Sequence, residues 1–333
     1  MSAFRKFLLM ASSAVVLSSI SSFQSTTAMA ADVAPGCSAG FAGTVGAGYI
    51  FGGSDTEFDS NIVFLDDDDD NDDLNVDYGT FFGEGAALYE FCNTGLNIQG
   101  DFAFHSHQLD SDDFFGGKGP PWESDIVNDR WHVGGILFWR NEDLGLVGID
   151  GSMINDDVDS FNNESFRVGL RGEYFAGDMF TVGAGFGYNH GDLFGSDWDG
   201  FDANIWARLY ATDNIGLLAR FDWAGFDIDD AEFAPPGSID VWAVTGEGEF
   251  LLPDHPLSIF AGVRYAEQQL DQGDGKFDFG ATTDHLQIYA GLRLYFGSEG
   301  LSLSSHHRSN TLDNTSVPLE RIPASFFSGK RPI

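Results

Sequence analysis

Eight charged side chains carry most of the chemistry this sequence offers. Glu84, Asp101, Arg167, Arg171, Arg220, Glu247, Arg264 and Arg293 lie in segments where apolar and polar residues alternate, and each falls on the polar parity of its segment. Side chains two apart on a strand share a face. These residues are therefore expected to line one surface, with Asp150, Glu173, Asp202, Asp222 and Glu249 beside them. Opposite charges around a constriction set a transverse field and filter small polar solutes. The same charges paired across a narrow space would fill it. The sequence leaves both outcomes open.

Other constellations carry less. His105, His107 and His132 share the polar parity, and hairpin arithmetic places His105 opposite or near His132. Three imidazoles can hold Zn²⁺ or Cu²⁺, but Arg130 beside them opposes a cation, so no metal site is expected. Residues 65–73 are almost all aspartate, without the spacing or glycine of an EF-hand loop. Such a run reads as a solvated, self-repelling loop. Ser106 falls on the opposite face from His105 and His107, so no serine–histidine pair forms and no enzyme is expected. The run Gly183-Ala184-Gly185-Phe186-Gly187 alternates as a strand with small inward residues. No helix follows it, so it is no phosphate loop and no cofactor is expected.

These side chains need strands to position them. Apolar Leu96, Ile98, Phe102 and Phe104 oppose Asn97, Gln99, Asp101, His105 and His107. Phe201, Ala203, Ile205 and Leu209 oppose Asp202, Asn204, Arg208 and Tyr210. Twelve such segments recur, at about 39–52, 75–91, 95–108, 129–140, 144–154, 164–175, 179–190, 200–211, 215–226, 239–252, 257–269 and 284–296. Short connections alternate with long ones at 53–74, 109–128, 155–163, 191–199, 227–238 and 270–283. Between residues 119 and 300 the only lysine is Lys276, and all eight arginines take the polar parity. A face stripped of charge over twelve segments suits lipid, where an Arg or Lys at the bilayer midplane costs about 2–4 kcal/mol. Closure follows, because an open sheet edge in hydrocarbon leaves backbone groups unsatisfied. The expected fold is all-β, a transmembrane antiparallel up-and-down β-barrel of about twelve strands.

The pattern over residues 38–296 resembles Gram-negative outer-membrane β-barrels of the porin-like family. The run Tyr289-Ala290-Gly291-Leu292-Arg293-Leu294-Tyr295-Phe296 is similar to the terminal strand that the barrel-insertion machinery reads in that family. The resemblance implies a bacterial outer-membrane location among lipid and lipopolysaccharide, with both termini periplasmic. It implies passive diffusion of small hydrophilic solutes and ions, favouring cations because of the acidic loops. The alternative is a closed structural or surface-interaction barrel, adhesin-like and without transport. In the family the final Phe usually ends the chain; here residues 297–333 follow and are expected to form a disordered periplasmic tail.

Arg5, Lys6, an apolar stretch at 7–17 and Ala28-Met29-Ala30 read as a signal peptide over residues 1–30, leaving the barrel at 31–296. Cys37 precedes the first strand and Cys92 sits in the turn after the second, at one end of the hairpin. Export makes a disulfide between them the expectation. The balance of 52 acids against 16 bases, a net charge of −36, excludes nucleic acid as a partner.

Overall fold

The computed structural model describes residues 40–60, 74–91, 94–109, 126–141, 143–158, 161–193, 196–229, 236–273, 278–297 and 302–309. Twelve strands follow in chain order: β1 (Phe41–Ser60), β2 (Leu74–Phe91), β3 (Leu96–Leu109), β4 (Ile126–Asn141), β5 (Gly145–Val158), β6 (Phe161–Ala176), β7 (Phe180–Leu193), β8 (Ser196–Thr212), β9 (Ile215–Ile228), β10 (Gly237–Leu251), β11 (Leu257–Gly273) and β12 (Asp278–Phe296). Each pairs antiparallel with its sequence neighbours, and β1 pairs with β12 to close the barrel. The closing seam runs from Gly43↔Phe296 to Ser60↔Phe279. A Cβ on Gly43 would sit inside the Phe296 ring, so the first and last strands meet closely there.

The two faces are inverted relative to a soluble protein. Ile205 is 60% exposed while its neighbour Asn204 is 3% exposed. Leu170, Val168, Ile149, Ile288 and Phe102 also face outward, whereas Arg167, Arg171, Asp202 and Gln287 are buried inside. Tyr49, Tyr89, Trp131, Trp139, Tyr188 and Trp223 stand on the outer face. There an amphipathic ring spans the boundary between acyl chains and headgroups.

Turn chemistry sets one end of the barrel. Gly177, with φ of 63°, permits the tight return between β6 and β7. Asn141 Oδ1 accepts hydrogen bonds from the Asp143 and Leu144 amides, both at 3.0 Å, and turns β4 into β5. At this end every strand boundary lies within two residues of the sequence expectation. At the other end the strands run on: β1 reaches Ser60 and β12 starts at Asp278. Only residues 159–160 and 194–195 separate β5 from β6 and β7 from β8. Several connections expected as long loops are therefore paired strand. Alternation ceases where a strand leaves hydrocarbon, but backbone pairing continues.

A helix, α1 (Leu303–Ser309), follows β12. It lies within the segment expected to be a disordered tail, and it departs from that expectation. Ser302 caps it, its Oγ accepting from the Ser305 amide at 3.2 Å. His306, His307 and Arg308 occupy the last turn, where positive charge opposes the helix dipole. Seven residues are too few for a stable isolated helix, so docking must hold it. The expected signal peptide, Cys37 and Cys92 with the disulfide expected between them, the acidic run 65–73 and residues 310–333 lie outside the described residues.

Placing arginine on the outer face should be costly. Leu170→Arg is expected to destabilise the fold in phospholipid vesicles by about 2–4 kcal/mol, measured by urea titration. Leu170→Val should leave it nearly unchanged; an equally small effect for both would contradict a lipid-facing position.

Candidate functional site

The barrel interior is built from rows of alternate residues, and the smallest residues make room for the largest. On β7 the inward row reads Gly183, Gly185 and Gly187. A Cβ at Gly183 would meet the Trp206 ring, one at Gly185 the Asn204 amide, and one at Gly187 both Arg167 and Asp202. The Gly187 partner across the β6–β7 ladder is Gly169, whose added Cβ would also strike the Arg167 guanidinium. This explains why a glycine-rich strand stands beside strands rich in Arg, Asp and Trp.

In this space Arg167 bridges three strands. Its Nε donates to Asp202 Oδ2 at 2.8 Å, its Nη2 to Asp202 Oδ1 at 3.0 Å, and its Nη1 to Asp150 Oδ2. Asn189 Nδ2 donates to the same Asp202 carboxylate at 2.7 Å. Arg171, on the same strand, pairs with Glu173 at 2.6 Å and lies over the Trp206 ring. Asp101 sits 3.5 Å from His132 Nδ1. Arg220 pairs with Asp222 at 2.6 Å. Arg264 is 4% exposed on the inward row of β11.

A second network centres on Arg293. Its Nη1 donates to Glu249 Oε2 at 3.1 Å and lies 4.0 Å from Glu247, and its Nη2 donates to Glu84 at 3.3 Å. Glu249 also accepts from the Ser258 hydroxyl and from the Tyr295 hydroxyl, the latter at 2.6 Å. Tyr289 donates to Glu247 at 3.0 Å. The eight sequence-derived residues thus all turn inward, but they do not form one site. Glu84, Glu247 and Arg293 come together; Arg167, Arg171, Asp101, Arg220 and Arg264 each join other neighbours. Opposite charges are paired rather than segregated into facing rings.

The His105 and His107 rings stack, with centroids 6.1 Å apart. His105 stands opposite Arg130 in the β3–β4 ladder, and His132 stands opposite Ala103, one inward step away. His107 Nδ1 lies 2.6 Å from the Thr80 hydroxyl. Among the described residues no three His, Cys, Asp or Glu side chains converge as a metal site would require.

Apolar residues also take inward positions. Ala42, Leu88, Ile136, Phe138, Leu146 and Phe175 form a buried cluster at the short-turn end. Tyr210, Leu251, Tyr295 and Leu303 form a second cluster at that end. Leu303 belongs to α1, which packs against the mouth. Its amide donates to Asp213 O at 2.6 Å, in the β8–β9 turn. The His307 Nε2 atom lies 3.0 Å from Glu249 Oε2 and 2.8 Å from the Tyr295 hydroxyl. The His306 ring stacks on Tyr295, centroids 4.6 Å apart and planes 10° from parallel. Burial, with the His307 imidazole adding to it, pulls His306 below the usual imidazole value; the Glu249 carboxylate opposes this. Arg308 lies over the Phe175 and Tyr210 rings and so joins the two clusters. Side chains of both clusters and of α1 line the short-turn mouth.

The buried ion network can be probed by double substitution. Arg167→Met alone should cost about 3–5 kcal/mol, since it strands two buried carboxylates. Adding Asp150→Asn and Asp202→Asn should restore most of that loss, as read by denaturant unfolding in detergent micelles. Equal stability of the single and triple variants would contradict the pairing.

No protein-family model matches the chain, and no curated protein matches it. Solved structures do. A Pseudomonas aeruginosa homologue of FadL aligns at 7% identity over 77% of this chain and 90% of its own, with a TM-score of 0.45. An outer-membrane channel from Pseudomonas putida F1 aligns at 11% over 80% and 99%, TM-score 0.48. The Vibrio cholerae outer-membrane protein OmpT aligns at 15% over 79% and 99%, TM-score 0.36. At these identities and scores the likeness is one of barrel architecture and carries no argument about function. What the chain's own geometry establishes is a twelve-stranded closed barrel of the outer-membrane type.

Proposed function

We propose that the protein is a non-enzymatic outer-membrane channel for small hydrophilic solutes, favouring cations, with its short turns and both termini in the periplasm. The observation that supports this most is the character of the inward rows. Ionic and amide side chains run from the Glu84–Arg293–Glu249 group to the Arg167–Asp202 group. A barrel serving only as a rigid scaffold could be filled at lower desolvation cost with apolar side chains. A polar lining supports passage of hydrated solutes once the side chains move apart.

In the described conformation most of these side chains are nearly inaccessible. Asp202 and Gln287 are 1% exposed and Arg167 is 4% exposed. That packing favours the second reading, a closed structural or surface barrel; on the channel reading, conduction requires these side chains to move apart. Within the strands the arginines are largely offset by acids, so the acidic outer loops supply the selectivity. The sequence carries 36 more acids than bases overall.

Planar-bilayer recording separates the two readings. Discrete current steps are expected, with a reversal potential showing cation preference at about 50 mM salt that fades toward 1 M, where screening shortens to ~3 Å. Steady silence at every voltage would favour the closed structural barrel. Anion preference at low salt would overturn the role given to the loop charges.

A further inference from the structure

We propose that α1 is a releasable latch that holds the short-turn mouth closed. This rests on the channel reading above and adds the means by which the channel would be regulated.

Three observations carry it. First, the mouth is covered on one side by a segment that is not part of the barrel wall. The strands complete their hydrogen-bonded ring without α1, so its departure breaks no ladder. Second, the anchoring atoms keep other partners when α1 leaves. Glu249 accepts from Arg293, Ser258 and Tyr295 as well as approaching His307. Removing the imidazole leaves the carboxylate with three donors, so release does not strand a buried charge. Other anchors include Arg308, which donates to Thr181 Oγ1 at 3.3 Å and to Phe180 O at 2.9 Å, the Leu303 amide on Asp213 O and the His306 ring on Tyr295; none of them belongs to a strand ladder. Third, the chain is built to turn back at this point. Gly297 directly follows β12 with φ of 73°, and a Cβ there would collide with the Phe41 carbonyl. The chain therefore turns at Gly297, and α1 docks at the mouth through contacts that lie outside the strand ladder.

Leu303 is the wedge and the two basic side chains are the catch. Leu303 is fully buried between Tyr210, Leu251 and Tyr295, facing Gly216, where an added Cβ would crowd its side chain. Arg308 ties the two clusters together through Phe175 and Tyr210. A partner or condition that competes for His307 and Arg308 would free the wedge.

Two readouts test this, one independent of conduction. In vesicles, trypsin should cut after Arg308 at least tenfold more slowly in the full chain than in Leu303→Ala/His307→Ala. In planar bilayers, the His307→Ala/Arg308→Ala variant and a chain ending at residue 298 should each show at least tenfold higher open probability than the full chain. The helix variants leave every strand residue intact, so they report on docking even if the shortened chain fails to insert. Rapid cleavage of the full chain would show α1 undocked and overturn the latch, leaving the channel reading intact. Protection together with identical currents in all three forms would make α1 a fixed part of the wall, again overturning the latch alone. Absence of current from every form would remove the channel reading, and the latch with it.

Discussion

The structure depends on one constraint: within hydrocarbon no water satisfies a backbone amide or carbonyl. A strand can cross only if both of its edges are paired, and twelve strands meet that demand by closing on themselves through β1 and β12. Closure then sorts the side chains. Because successive residues point to opposite faces, each strand gives one row to lipid and one to the interior. The outer row must be apolar, so charge is confined to the inner one. The exposed Ile205 beside the buried Asn204 shows this sorting at the scale of one residue.

The inner row then has its own demands. A guanidinium buried to 4% exposure must have its charge answered by acceptors, and Arg167 finds them on β5 and β8. Reaching that far requires the wall between to be thin, which the glycines at 169 and 187 provide. Toward the short turns the interior changes to Leu, Ile, Phe and Tyr, and α1 completes that layer. Apolar clusters thus lie inside both ends of the barrel, one of them at Phe226, Ile228, Ile239 and Val241, with ionic pairs between them and reaching the short-turn layer at Glu249 and Arg293.

Much of this was legible in the sequence, for a physical reason. Alternation with period two and turn residues such as Gly177 and Asn141 are local, and they located twelve strands and their short-turn ends. They did not reveal the strand extensions at the far end, because alternation is imposed by lipid and stops where lipid stops. Parity also placed Glu84, Asp101 and the arginines inside. It could not say that Arg293 meets Glu84 and Glu249 while Arg167 meets Asp202, since those pairings depend on the stagger of strands around the closed ring. The same stagger sets His105 opposite Arg130, with His132 near it, one inward step along the ladder. The α1 helix is too short to show periodicity, and its partners Glu249, Thr181 and Tyr210 lie far away in sequence; only its Ser302 cap and basic final turn were local signals.

The sorting of the two faces is tested most directly by a nitroxide scan of residues 201–209 in β8, reconstituted in vesicles, with collision rates for oxygen, which concentrates in lipid. Oxygen accessibility should alternate with period two, high at 201, 203, 205, 207 and 209 and low at the even positions. A flat profile, or maxima at Asp202, Asn204 and Arg208, would contradict the account.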